Sequence, residues 1–181
     1  AHLEKLRQGS RLVLVVVGDV DPAHIADLAK KRLGSLPRGD YRETALPGIS
    51  FAAAKLEKEA SKLPTTYVSG TFSAPTWREP EFYAAMVAME HLGFRVFEEV
   101  RTKRNLSYAP HASFRSSSAV PIGQLYVSAV DPNAAMQVMF DEVGKLKSQP
   151  LTPKQLEAAK STLLTEHWMN TETTDGQASA L

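Results

Sequence analysis

Apolar positions along this chain follow two different periods, and the switches between them outline a fold. Residues 12–17, LVLVVV, are an unbroken apolar run rich in β-branched side chains. Such a run suits a strand buried on both faces, so a central strand is expected there. Ahead of it, HLEKLRQGS reads as the end of a helix closing at Gly9. Behind it, Asp21 is placed to cap a helix that Pro22 opens, Ile25, Leu28 and Leu33 recur at helical spacing, and Gly34 supplies the stop. Strands are expected in AAAKLEKE (52–59) and in TTYVSGTFSAP, where Tyr67, Ser69 and Thr71 alternate with Val68 and Phe72.

From Pro80 the period lengthens. Phe82, Met86, Met89, Leu92, Val96 and Val100 repeat every three or four residues, a long amphipathic helix in which Gly93 is the expected point of any kink. LSYAPHASFRSS and IGQLYVSAV then read as a hairpin joined by a polar turn over 116–121, with Leu125, Val127 and Ala129 on one side of the second strand. Two helices complete the pattern. One follows Asp131 and Pro132; the other opens with a Thr152 to Gln155 capping box and Pro153 in its first turn. Hairpin-clustered strands separated by helices that can pack on them predict an α+β fold, a two-layer sandwich with a mostly antiparallel sheet and helices on one face. Val-Asp-Pro occurs twice between strand and helix, an echo that helix-start chemistry explains better than duplication does.

Composition narrows the function more than it defines it. With 181 residues, 43% of them hydrophobic, the chain can bury one sizeable core, and residues 1–181 are expected to form a single domain. A formal charge of +1 gives no broad electrostatic reason to expect nucleic acid or an anionic membrane as partner. The longest apolar run falls well short of the roughly 20 residues of a membrane-spanning helix. Without cysteine there are no disulfides, thiolate metal sites or cysteine nucleophiles. The chain starts at Ala1 and ends in TETTDGQASAL with no clear stop signal, which suggests an excised or processed piece of a longer protein. Nothing indicates a compartment, and a dimer is left open.

The five histidines, His2, His24, His91, His111 and His167, include no i, i+4 pair of the kind that brings two imidazoles to one metal ion. H-E-x-x-H, H-x-x-E-H and G-x-S-x-G are all absent. No metal is therefore expected on this chain, and alone it does not look like a complete active site. The remaining candidate is RTKRNLSYAP. Arg101, Lys103 and Arg104 suit the last turn of a helix, where cations complement the dipole, and Asn105 suits the left-handed residue that closes it. On that reading the three are solvated cations. The functional reading brings Arg101 and Tyr108 together across the turn, where guanidinium and phenol can donate hydrogen bonds to a carbonyl or carboxylate. Spacing alone does not choose between them.

In order and spacing, VLVVVGDVDP, FEEVRTKRNLSYAP and LTPKQLEAAKSTL resemble the C-terminal, zinc-free half-domain of the insulinase and pitrilysin type of zinc metallopeptidases, the inverted zincins. The most specific element is R-x-x-x-G-L-x-Y, matched by Arg101, Leu106 and Tyr108, with Asn105 where the family has Gly. The Gly-rich segment that the family places before the Arg is shortened to HLGFRVFEEV, and against the family pattern the final helices are expected to be cut short at Leu181. The resemblance implies a half-domain that faces a catalytic half, in the same or a separate chain, across a peptide-binding cleft. Zinc would sit in that partner half and none in this one. Tyr108 and Arg101 would be the catalytic and substrate-binding residues, contacting peptide backbone near the scissile bond, and this piece alone would be inactive. The alternative is a non-catalytic subunit or structural half serving assembly or polypeptide binding. A basic helix end that binds anions or nucleic acid is disfavoured by the near-zero charge.

Overall fold

The computed structural model describes residues 3, 6–42, 44, 51–115 and 121–181. In chain order its main elements are α1 (Pro22–Leu33), β1 (Thr66–Ser73), α2 (Phe82–Val96), β2 (His111–Arg115), β3 (Ile122–Ala129), α3 (Pro132–Ser148), α4 (Pro153–Thr171) and α5 (Thr174–Ala180). The chain divides into two compact units, residues 1–45 with 165–181, and residues 46–164.

In the first unit α1 forms as its signals require. The Asp21 carboxylate accepts the Ala23 N–H at 2.9 Å and Pro22 occupies the first turn, satisfying a donor the helix itself cannot use. α5 has no counterpart in the sequence pattern; it is short, and Thr173 Oγ1 caps it by accepting the Gly176 N–H at 3.0 Å. The expected central strand over 12–17 does not form: these residues are irregular, and Val13 is 89% exposed. High β-propensity makes a segment fit for a sheet, yet a strand exists only where a neighbouring edge takes up its backbone N–H and C=O groups. Among the described residues none does. The helix end expected over 2–9 lies partly outside the described residues, and a short 3₁₀ turn spans Gly9–Arg11.

The second unit carries the core. Its sheet is antiparallel with order β1-β3-β2, pairing Thr66 with Ala129 through Ser73 with Ile122, and His111 with Tyr126 through Arg115 with Ile122. Alternation along the strands sends Val68, Leu125, Val127, Ala129, Ala112 and Phe114 to one face, where they meet Met89, Leu92, Val96 and Val100 of the α2 segment and Ala135 and Met139 of α3. The other face shows Tyr67, Ser69, Thr71, Gln124, Tyr126, His111 and Ser113; Gln124 Nε2 donates to Ser69 Oγ at 2.8 Å, and the His111 and Tyr126 rings stack with centroids 4.8 Å apart. This is the expected α+β sandwich with helices on one face.

The long helix follows its predicted stripe and runs unbroken through Gly93. That glycine marks close approach: a Cβ there would lie 3.1 Å from the Ala112 carbonyl oxygen of β2. Asp131 and Thr152 act as the N-caps read from the sequence, with Asp131 Oδ1 accepting the Ala134 N–H at 3.0 Å and Thr152 and Gln155 exchanging their capping-box bonds. Two strand expectations need correction. Residues 52–59 form no strand, because Leu56 stands alone among Lys55, Glu57, Lys58 and Glu59 and offers no apolar face to bury. The strand drawn from residue 106 begins only at His111, after Pro110. The polar turn over 116–120 lies outside the described residues.

Leu92, 2% exposed, sits at the centre of this packing. Leu92→Ala is expected to lower unfolding free energy by about 2–5 kcal/mol in urea titrations, through lost transfer energy plus a cavity. Tyr67→Ala on the open face should change it by less than ~1 kcal/mol.

Candidate functional site

α2 does not end as a regular helix. Phe97–Thr102 continue it as one wide π-helical turn, in which the Lys103 N–H donates to the Glu98 carbonyl at 2.9 Å. Val100 anchors the turn from inside the core. The exit is made by Asn105, whose φ of 50° is left-handed as expected. Its N–H donates to the Arg101 carbonyl at 3.0 Å, and the Leu106 N–H to the Val100 carbonyl at 2.9 Å. Leu106 packs on the core and so fixes the loop to β2. Ser107 is buried beside it, its hydroxyl without a hydrogen-bond partner among the described residues.

Arg101 and Tyr108 come together across this exit. The Arg101 guanidinium carbon lies 4.1 Å from the centre of the Tyr108 ring and 4.9 Å from that of Phe97. Each cation–π contact contributes about 0.5–1 kcal/mol at an exposed site. Stacking uses the face of the guanidinium and leaves its in-plane N–H groups available. Tyr108 is 78% exposed and stands in the loop three residues ahead of β2, not at the start of the strand.

Neighbouring cations are arranged differently. Lys103 and Arg104, expected as solvated charges, are both paired to Glu99, a carboxylate only 5% exposed. Glu99 Oε1 accepts from Lys103 Nζ at 2.7 Å and from Arg95 Nη2 at 2.8 Å, and Oε2 accepts from Arg104 Nη1 at 2.5 Å. Arg95 Nε also donates to Glu142 of α3 at 3.0 Å, and Glu142 receives Lys145 Nζ at 2.6 Å. Glu98 is taken by Arg95 and Lys103. Among the described residues, Arg101 alone of the cations at this helix end has no carboxylate partner. The i, i+4 spacing of Arg95, Glu99 and Lys103 was a legible hint of the network; the tie to Glu142, 47 residues from Arg95, was not.

Hydrogen bonds from Lys103 and Arg104, assisted by the charges of Lys103 and Arg95, outweigh burial and hold the Glu99 carboxyl down to about 2. Its own hydrogen bonds to Glu99 and Glu98 raise Lys103. Burial opposes the charge on Arg95, yet the hydrogen bond and charge of Glu142, with Glu99 and Glu98, leave it raised.

Of the described histidines, His91 adjoins this cluster. His91 lines a cavity of about 230 Å³ with Arg95, Glu142, Lys145 and Gln155, and burial first, then Arg95, lowers its pKa. His111 stacks on Tyr126 and His167 on Trp168. Among the described residues no group of three or more His, Asp or Glu side chains is placed to hold a metal ion. Nor is any described helix long and apolar enough to cross a membrane.

The helix-backed antiparallel sheet is a fold shared with solved structures. A conserved protein from Enterococcus faecalis V583 superimposes with a TM-score of 0.72 at 16% identity, covering 90% of this chain and 40% of that one. A peptidase M16 inactive domain from Pseudomonas fluorescens gives 0.61 at 20% identity, covering 81% and 37%. The chain belongs to the family described as the Peptidase M16 inactive domain, whose sequence profile matches residues 1–163. Among curated proteins, mitochondrial cytochrome b-c1 complex subunit 1 of Mus musculus is 30% identical over 95 residues, 51% of this chain. That match spans 20% of the relative's own length.

The Glu99 network makes a signed prediction for acid. Its carboxyl titrates near 2 in the folded chain against an ordinary value of 4.5, so the unfolded chain binds more protons between those limits. The stability it contributes is complete above 4.5 and lost as pH falls towards 2. Denaturant midpoints measured from pH 5 to pH 2 should fall more steeply for the parent than for Glu99→Gln; equal slopes would contradict the pairing.

Proposed function

We propose that this chain is the substrate-binding, zinc-free part of a zinc metalloendopeptidase that hydrolyses peptide bonds in peptides or unfolded polypeptides. Membership of the inactive-domain family supports the peptidase context. The observation that carries the reading is the contrast at the end of α2. Lys103 and Arg104 are bound to Glu99, while Arg101 has no carboxylate among the described residues and lies stacked on an exposed tyrosine. A guanidinium and a phenol side by side, whose donors have no hydrogen-bond partner among the described residues, suit a peptide backbone, whose carbonyl oxygens accept hydrogen bonds and become more negative as the bond is attacked.

In this arrangement the Tyr108 hydroxyl donates to the substrate carbonyl or to the oxyanion that develops from it, and Arg101 binds backbone nearby or supports that donor. Zinc, held by a catalytic half in the same or a separate chain, supplies an activated water and Lewis-acid polarisation when bound. The residues of this chain bind and orient the peptide; alone they hydrolyse nothing.

A second reading is a non-catalytic subunit or structural half that serves assembly or polypeptide binding. The similarity to a cytochrome b-c1 complex subunit favours it. An H-x-x-E-H motif elsewhere in the full-length protein or its partner separates the two, since without one the peptidase reading has no catalyst.

In the protein joined to its zinc-binding half, Tyr108→Phe is expected to lower turnover of a quenched fluorescent peptide by about tenfold or more, the effect of losing one oxyanion donor. Activity equal to the parent would remove Tyr108 from the proposed role.

A further inference from the structure

The turn that presents Arg101 is gripped by one carboxylate. The side-chain partners of Glu99 lie four residues before it, four after and five after, so a single acid ties the body of α2 to the exit of the wide turn and to the residue directly ahead of Asn105. Arg104 Nη1 also donates to the Glu99 backbone carbonyl at 2.9 Å, closing the grip around the main chain. Through Arg95 the cluster is fastened to Glu142 on α3, itself 4% exposed.

The same arrangement decides what Arg101 does not do. The nearest acids in sequence, Glu98 and Glu99, are occupied by Arg95, Lys103 and Arg104. A fully engaged carboxylate gains little from a fourth cation and would have to give up an existing bond to take it. Arg101 is therefore left to the rings of Phe97 and Tyr108.

We propose that Glu99 is a positioning residue for Arg101: engaged by Arg95, Lys103 and Arg104, it fixes the turn on which Arg101 stacks against Tyr108 and keeps that guanidinium free for a peptide backbone. The proposal rests on the role given to Arg101 and Tyr108 under the proposed function. Glu99 acts through Arg101 and touches no substrate.

The test is a double-mutant cycle in the full-length protein with its catalytic half. Glu99→Gln keeps the shape and removes the charge, and kcat/KM for a quenched fluorescent peptide is expected to fall about tenfold, the scale at which a misplaced group loses catalysis. In an Arg101→Ala background the same change should cost less than about twofold, because a residue that acts through Arg101 has nothing left to position. Equal losses in both backgrounds would make Glu99 merely structural and overturn the proposal, as would no loss in either. Full activity of Arg101→Ala itself would show instead that the proposed role of Arg101 fails, and the positioning role with it.

A readout independent of activity uses the same protein with ¹⁵N-labelled arginine. The Arg101 Nε–H proton should be displaced upfield by the Tyr108 ring, lose that displacement in Tyr108→Leu and keep less than about half of it in Glu99→Gln, since ring-current effects fall steeply as a stacked pair separates. An unchanged displacement in Glu99→Gln overturns the proposal even if the protein cleaves no peptide. Should Glu99→Gln not fold, Arg104→Met removes one of its partners and is expected to move both readouts in the same direction by a smaller amount.

Discussion

Neutralising charge inside a helix end is the constraint on which the rest of this structure turns. Glu99 and Glu142 are nearly excluded from water, and such carboxylates are tolerated only when cations and hydrogen bonds replace the lost hydration. Arg95 serves both of them, and Lys103, Arg104 and Lys145 complete the set. Removing one partner would leave a buried charge less fully compensated, so the network also fixes geometry. It welds α2 to α3 beside the apolar cluster of Leu92, Val96 and Met139 and stiffens the segment leading to the loop before β2.

Much of this fold could be read from local chemistry. α1, α2, α3 and α4 announce themselves through caps, prolines and apolar stripes, all properties of residues within a few positions of one another. β1 and β3 were legible through alternation. Residues 12–17 were not, since whether a β-branched run becomes a strand depends on a partner edge that its own sequence does not contain. At the site, left-handed Asn105 and the basic helix end were visible beforehand. The fates of the cations were not: Arg101, Lys103 and Arg104 look alike in sequence, and only the wide turn decides which two reach Glu99.

The two faces of the sheet divide the work of the second unit. One is apolar and covered by helices, giving α2 a fixed seat. The other is open and presents hydroxyl, amide and aromatic groups, with Tyr67, Ser69, Thr71 and Tyr126 among them. The role proposed for Arg101 and Tyr108 calls for a rigid frame that holds two donors in place. Here that frame is assembled from a buried helix stripe, a left-handed exit and an ion-pair network.

The π-helical turn has a consequence for how the site tolerates change. An α-helix rotates each successive residue by roughly 100°, so a turn that accommodates an additional residue shifts the phase of everything beyond it. The direction in which Arg101 leaves the helix is thus set by chain length as well as by residue type. Shortening the turn by one residue would retain every charge and ring in the neighbourhood while pointing the arginine elsewhere. Two chains could then carry the same charges and rings at this helix end and differ in what it can grasp.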